Sequence, residues 1–226
     1  MSGYYHYFSF GLSTYIDSLL VRVREEVFQV FMRSFKPGAE DSILDIGASA
    51  DDHRSSNHFE KRYAHTSSLC ALGIDHLPAL LTQFPGLRVV QGDARALPFE
   101  SESFDFVHSH AVIEHVGSRP RQTMFIREAL RVARKGVLIT TPNRWHPVET
   151  HTGIPLLHYF PKKVHHRIYH ALGKAMYANE STLNLLSSRN LSTLLAGFNT
   201  DDFTVSSHSV RWLGIPSNLI LVIRKR

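Results

Sequence analysis

The run Ser42-Ile43-Leu44-Asp45-Ile46-Gly47-Ala48-Ser49 decides the fold. A short apolar stretch ends in an acid followed by small residues, the pattern of a buried strand running into a tight turn. Working outward, the same form returns. Leu69–Ile74 ends at Asp75, Leu87–Gln91 precedes Gly92-Asp93-Ala94, and Phe104–Ser109 precedes His110. Val137–Thr141 is a fifth such run. Between the runs, apolar residues recur at helical spacing. Ile16, Leu19, Leu20, Val23, Val27, Val30 and Phe31 define a helix over 13–35, stopped by Lys36-Pro37-Gly38. Further helices are predicted at His58–Tyr63, 76–84 and Arg119–Lys135. Strand–helix alternation of this kind predicts an α/β fold, a mostly parallel sheet with helices on both faces.

After Thr141 the pattern changes. Pro142 to Pro161 is rich in proline, histidine and aromatic residues, and a basic helix is expected over Pro161–Lys174. Ser187 or Ser188 is placed to cap a helix through Ala196. Phe203–Val210 and Asn218–Arg224 read as strands joined by a short turn. They should pair antiparallel, because parallel pairing needs a crossover of about a dozen residues or more.

The 226 residues are 43% hydrophobic and 20% charged, which excludes disorder as the dominant state. No repeat or linker divides the chain, so residues 1–226 read as one domain. Its parts are 1–35, an aromatic segment and helix; 42–143, a ligand-binding core; 144–200, an insertion; and 201–226, the terminal strand pair. The single cysteine, Cys70, excludes an internal disulfide and a cysteine-rich metal centre, and fits a reducing compartment. No secretory signal and no run of about 18 apolar residues is visible. Cytoplasmic residence is expected. The net charge of +5 permits an anionic partner without requiring one.

Ligands of open α/β sheets bind beyond the carboxyl ends of the strands, where strand order reverses. Here those ends carry LDIGAS, GIDH, GDARALPFESESFDFV and HAVIEHVG, followed by a strand ending in TTPN. In this order and spacing they resemble the class I S-adenosylmethionine (SAM)-dependent methyltransferases, most closely the bacterial type 11 group, over residues 42–143. The resemblance implies a Rossmann-like sheet with an antiparallel C-terminal strand. It also implies SAM as cofactor and S-adenosylhomocysteine as product. It assigns cofactor binding to Asp45, Gly47, Ser49, Asp75, His76, Asp93, Ala94, Ser109 and His110. Asp75 takes the ribose hydroxyls and the Asp93-Ala94 pair takes the adenine. A carboxylate accepting two hydrogen bonds orients a diol better than a neutral side chain. The bland reading of Asp75 is a helix N-cap.

One departure stands out. The family's first turn reads Asp-x-Gly-x-Gly-x-Gly, whereas Ser49 and Asp51 replace the later glycines here. A Cβ at Ser49 is costly if that residue needs positive φ. The following Ser56-Asn57-His58-Phe59-Glu60-Lys61 resembles a glycine-poor bacterial branch of the group. The absence of a G-x-G-x-x-G turn argues against a nicotinamide-binding domain.

Methyl transfer to a hydroxyl or amine needs a base, and histidine serves at neutral pH. His110 and His115 follow the fourth strand and His146 and His151 the fifth, so these four are the candidate catalytic residues. Neither Asp51-Asp52-His53 nor His146-Pro147-Val148-Glu149-Thr150-His151 has a recognised metal-ligand spacing, and no metal is expected. Tyr4, Tyr5, His6, Tyr7, Phe8 and Phe10 either cover the cofactor or tuck against the sheet. Thr152–Pro161 with Lys162, Lys163, His165, His166, Arg167 and His170 reads as a pocket cap or as an interfacial membrane element.

The expected activity is SAM-dependent transfer of a methyl group to a small-molecule or lipid-linked acceptor, with peripheral contact at the inner membrane face. The alternatives are an RNA methyltransferase, using Arg119, Arg121, Arg127, Arg131, Arg134 and Arg144, and a non-catalytic SAM-binding scaffold. No RNA-binding appendage is present, so nucleic acid is not the expected partner.

Overall fold

A computed structural model describes residues 13–51, 53–149 and 151–226. The aromatic cluster Tyr4–Phe10 and Asp52 lie outside the described residues. Helix α1 (Ser13–Phe35) leads into strand β1 (Ile43–Ile46), α2 (His58–Arg62), β2 (Leu69–Gly73), α3 (Pro78–Gln83) and β3 (Arg88–Gln91). Then come β4 (Phe104–His110), α4 (Arg119–Val132), β5 (Ala133–Pro142), α5 (Lys162–Ala171), α6 (Ser188–Leu195), β6 (Phe203–Trp212) and β7 (Ile215–Lys225).

The seven strands lie in the order β3-β2-β1-β4-β5-β7-β6. Strands β1 to β5 run parallel, and β7 runs antiparallel to both β5 and β6. Strand order therefore reverses between β1 and β4, which are paired in register from Ile43↔Phe106 to Ile46↔Ser109. Alternate side chains of a strand face opposite sides, and each side has its own core. Ile43, Leu69, Ala71 and Phe106 pack with Val27, Phe31 and Phe59 beneath α1 and α2. Leu44, Ile46, Cys70, Leu72 and Val107 pack with Phe125, Ile126, Leu191 and Leu194 beneath α4 and α6. A third, small cluster of Leu157, Tyr169 and Tyr177 belongs to the segment between β5 and α6.

Two local expectations change. Helix α4 stops at Val132 rather than Lys135, because Ala133 turns extended and pairs with Phe104. Arg134 and Lys135 then point their charges at Asp105, at 2.8 and 3.1 Å. Asp75 does not cap α3, whose N-cap is Leu77 with no side-chain cap bond. Ser187 is the cap of α6, in a reciprocal capping box with Asn190.

Asp105 ties the start of β4 to β1. Its carboxylate accepts the Ser42 N–H and hydroxyl, both at 3.0 Å, as well as the two cations. Burial alone would raise this carboxyl, but the hydrogen bonds from Ser42, Lys135 and Arg134 outweigh it and hold the pKa at about 2. A carboxylate held below its unfolded value stabilises the fold above pH ~4 and loses that contribution as pH falls toward 2. Because Arg134 and Lys135 are half exposed, the contribution is about 1–2 kcal/mol. Asp105→Asn should therefore lower stability at neutral pH by that amount and flatten its acid dependence between pH 4 and 2. Urea unfolding across this range tests it; an unchanged slope would assign the acid loss elsewhere.

Candidate active site

The site is built from the carboxyl ends of the central strands. Gly47, just past β1, is exposed and has φ +115°, and an added Cβ there would lie 2.4 Å from Val112 Cγ2. At Gly73, the end of β2, an added Cβ would lie 2.6 Å from the Ala48 carbonyl oxygen. Both positions are closed to larger residues, so the first turn lies directly against its neighbours.

The glycine-poor turn is held by another device. Asn57 accepts the Ser49 N–H at 3.0 Å through Oδ1 and donates Nδ2–H to the Ser49 carbonyl at 2.9 Å. Ser49 Oγ accepts the Asp51 N–H, and Asp51 in turn accepts from the His53 N–H and the Ser56 hydroxyl. Ser49 is not among the described residues with positive φ; Asn57 takes the left-handed conformation instead, at φ 50°. Asparagine tolerates that region, so the cost foreseen at Ser49 does not arise.

The expected cofactor residues divide into two groups. Asp75 and His76 are exposed at the end of β2, and Asp75 does not cap the helix that follows. Asp93 is gripped by Arg95, with 2.9 and 2.6 Å contacts from Nε and Nη2, and the Arg95 hydrogen bond lowers its pKa. Ala94 is buried beside it. Asp45 lines the cleft beneath α1, where it bonds His108 Nδ1. Ser109, on the opposite face of the sheet, is fully buried and donates its hydroxyl to the Ile46 carbonyl at 3.1 Å.

A cleft lies beneath α1, lined by Arg24, Gly47, Asn57, His58, His108 and His110 among others. Arg24 Nη1 is buried and has no hydrogen-bond partner. The sequence reading missed this residue, because it sits at a polar position of an otherwise ordinary amphipathic helix. A second cleft, on the β5 side, is lined by Arg24, His110, Ala111, His151, Trp212 and Asn218 among others. Arg24 and His110 border both. His110 closes β4, bonds Thr140 Oγ1 at 2.9 Å, and is followed by Ala111 at φ 56°. Burial, then Arg24, His108 and His58, push its pKa well below the ordinary histidine value, so the ring is neutral at pH 7.

The other three histidines have different surroundings. His146 is buried, stacks on Trp212 with centroids 5.1 Å apart, and engages the Val148 backbone. It does not line either cleft. His115 and His151 face one another, Nε2 to Nε2 at 3.1 Å. His151 is anchored by Glu149, whose Oε1 accepts its Nδ1–H at 2.7 Å. Burial would raise Glu149, but His151 and the backbone N–H groups of His151 and Thr152 hold its pKa at about 2. The segment after β5 thus returns to the strand tips and meets the loop after β4.

Comparison with known proteins places this geometry. Residues 57–140 match the family described as "Methyltransferase domain". The chain is 35% identical over 88 residues to phthiotriol/phenolphthiotriol dimycocerosates methyltransferase 1 of Mycobacterium ulcerans, covering 37% of this chain and 31% of that protein. It is 46% identical over 54 residues to the Mycobacterium leprae phthiotriol/phenolphthiotriol dimycocerosates methyltransferase, covering 24% and 19%. The matches span 19 to 33% of the length of the curated relatives. Among solved structures, the Burkholderia thailandensis 1,6-didemethyltoxoflavin-N1-methyltransferase, with bound 1,6-didemethyltoxoflavin and S-adenosylhomocysteine, superposes with a TM-score of 0.59 at 15% identity. That alignment covers 95% of this chain and 82% of the other. A SAM-dependent methyltransferase of Aquifex aeolicus gives 0.57 at 12% identity, covering 94% and 98%.

The Asn57 clasp yields a direct test. Asn57→Gly leaves the left-handed backbone unstrained and deletes only the two side-chain bonds, and should cost about 1–2 kcal/mol. That corresponds to a fall in Tm of roughly 2–8 °C for a chain of this size. Asn57→Ala should fall further, since alanine resists positive φ. Equal melting of Asn57→Gly and wild type would show that the turn holds itself.

Proposed function

We propose that this chain, which carries a methyltransferase domain on the class I methyltransferase fold, binds SAM at the tips of β1 to β4 and transfers its methyl group to a lipid-linked acceptor. The observation that carries this is a pair of charged groups bordering the strand tips: the exposed Asp75 carboxylate at the end of β2, and on α1 the buried Arg24 Nη1, which has no hydrogen-bond partner among the described residues. SAM offers a diol and a carboxylate, which suit them in turn. Gly47 lets the ligand approach the backbone, and Ala94 with Asp93 suits the adenine. The residues present fit the cofactor.

When bound, SAM supplies an activated methyl group; the chain's task is alignment and exclusion of water. Asp75 and Arg24 fix the two ends of the ligand. His110, neutral and shared by both clefts, is placed to accept the proton of an acceptor hydroxyl or amine. His115 and His151 have their Nε2 atoms turned on each other, and His146 is engaged beneath Trp212, so His110 is the base assigned here.

Two observations support a lipid-linked acceptor. Three relatives are named for phthiotriol and phenolphthiotriol dimycocerosates. In this chain, Val164 and Ile168 on α5, with Phe160 and Leu172 just beyond its two ends, are exposed apolar residues, and Trp145 and Tyr159, packed on each other, are exposed too. Lys162, Lys163 and Arg167 are exposed around them. Apolar side chains ringed by cations suit an anionic membrane surface. Among the described residues no helix is long and apolar enough to cross a membrane.

Calorimetry with S-adenosylhomocysteine should show binding that Asp75→Ala or Arg24→Gln weakens by about 1.5–3 kcal/mol, the range for hydrogen bonds to charged groups. No heat and no thermal shift at millimolar ligand would overturn the reading. With labelled SAM, the label should enter an organic-extractable product; label in RNA would favour a nucleic-acid acceptor instead. His110→Asn should lower turnover by about 10²–10⁴ while sparing cofactor affinity. Because the ring is already neutral, wild-type turnover should show no rise through the ordinary histidine range near pH 6.5. The chain should also sediment with phosphatidylglycerol vesicles but not phosphatidylcholine vesicles. The double change Ile168→Glu with Leu172→Glu should abolish this without altering S-adenosylhomocysteine binding.

A further inference from the structure

We propose that Glu114, His115 and His151 form a site for one divalent transition-metal ion, best suited by zinc. No motif spacing in the sequence marks these ligands, since His115 and His151 are 36 residues apart on two loops. The fold brings them together. Glu114 Oε1, His115 Nε2 and His151 Nε2 lie mutually 3.1, 3.8 and 3.9 Å apart. The point equidistant from three atoms so spaced is about 2.1 Å from each, the length of zinc–nitrogen and zinc–oxygen bonds.

Each ligand is held by a second hydrogen bond through its other polar atom. His115 Nδ1 donates to the Thr182 carbonyl at 2.7 Å, and His151 Nδ1 donates to Glu149 Oε1 at 2.7 Å. Glu114 Oε2 accepts the Thr141 hydroxyl at 3.0 Å. Outer contacts of this kind are what orient metal-binding imidazoles and carboxylates. They also settle the tautomers. A carbonyl and a carboxylate can only accept, so both Nδ1 atoms carry hydrogen, and neutral rings then present bare lone pairs at both Nε2 atoms. Two lone pairs at 3.1 Å repel unless a proton or a cation lies between them.

Glu114 favours the cation. Its side chain is 0% exposed and its Oε1 has no hydrogen-bond partner, yet it points at the two imidazoles. A proton shared by the rings would leave that oxygen unsatisfied, whereas an ion satisfies all three atoms together. With Glu149 close behind His151, two carboxylates surround the site, and a divalent ion balances them. Two imidazoles and one carboxylate are a zinc-type set, and three protein ligands leave a fourth position open. His151 also lines the cleft that contains His110, so an ion on its Nε2 would sit at the wall of that cleft.

The test needs neither methyl donor nor acceptor, so its result stands apart from the methyltransferase reading. Full-length chain, stripped with chelator and titrated with Co²⁺, should bind one ion per chain in this site with visible d–d bands, which Zn²⁺ displaces. His115→Gln and His151→Gln should each abolish the bands. Glu149→Gln, which alters the outer contact to His151 and the backbone bonds beside it without removing a ligand, should weaken binding by about 10–100-fold. His166→Gln with His170→Gln, on the surface of α5, controls for adventitious histidine binding and should leave the bands intact. Should a ligand variant fail to fold, zinc-edge X-ray absorption of the wild type still reads the ligand set: two imidazoles, oxygen or nitrogen donors, no sulfur. Absence of bands, bands surviving in His151→Gln, or a different ligand set would overturn the proposal and leave a shared proton between the rings.

Discussion

The seam between β1 and β4 is the constraint on which the site depends. Asp45 and His108 are directly opposite in register there and bond each other in the core. The His108 ring stacks on Phe59, 4.4 Å between centroids, and meets Phe31 edge-on. Burial drives the Asp45 carboxyl up and the His108 imidazole down, so both groups are pushed toward their neutral forms. Glu60 lies close by, its carboxyl raised by burial and by Asp45. Removing one partner from a buried pair is far more disruptive than replacing both, because the survivor loses its compensation. Strand periodicity carries this outward. Two residues beyond Asp45 is Gly47, and two beyond His108 is His110, so the locked pair, itself part of the cleft lining, sets the position of Gly47 and His110.

Much of the fold was legible because strand ends announce themselves. Ile43–Ile46, Leu69–Gly73 and Phe104–His110 are buried almost throughout, as expected of parallel strands covered on both faces. The late strand pair was legible from its short turn. The end of α4 was not. Arg131 to Lys135 continues a helical pattern well enough, and partners far along the chain, Asp105 for Arg134 and both Asp41 and Asp105 for Lys135, accompany the turn of these two residues into a strand. Local propensity yields here to a long-range ion cluster.

Within the site, backbone-determined features were readable and side-chain destinations were not. Gly47 follows from the turn and Asp75 from the end of β2. By contrast, whether Asp45 and Ser109 face the cleft or the sheet depends on register and on partners sixty-three residues away. By position the four histidines divide only into two pairs, His110 and His115 after β4 on the cofactor side, and His146 and His151 after β5 on the acceptor side. Their roles separate only through particular neighbours: Thr140 beside His110, Trp212 over His146, Glu149 behind His151, Thr182 behind His115. Arg24 was invisible for the opposite reason, since an arginine on the polar face of a long helix is ordinary until its nitrogen is found buried.

The segment between β5 and α6 is where this chain departs most from what the sheet alone requires. Helix α5 buries His165 and Tyr169, and Tyr169 forms a small core with Leu157 and Tyr177. Its apolar side chains at Val164, Ile168 and Leu172 lie on another face, turned away from that cluster. A helix apolar on two faces has more apolar surface than its own core can cover, and sequence periodicity cannot say which face is left. The same segment carries His151 back to the strand tips. Whatever meets the exposed face of α5 is thus connected, through some twenty residues of chain, to the wall of the cleft. The cleft wall at His151 and the exposed face of α5 are accordingly two ends of one segment, with the small core of Leu157, Tyr169 and Tyr177 between them.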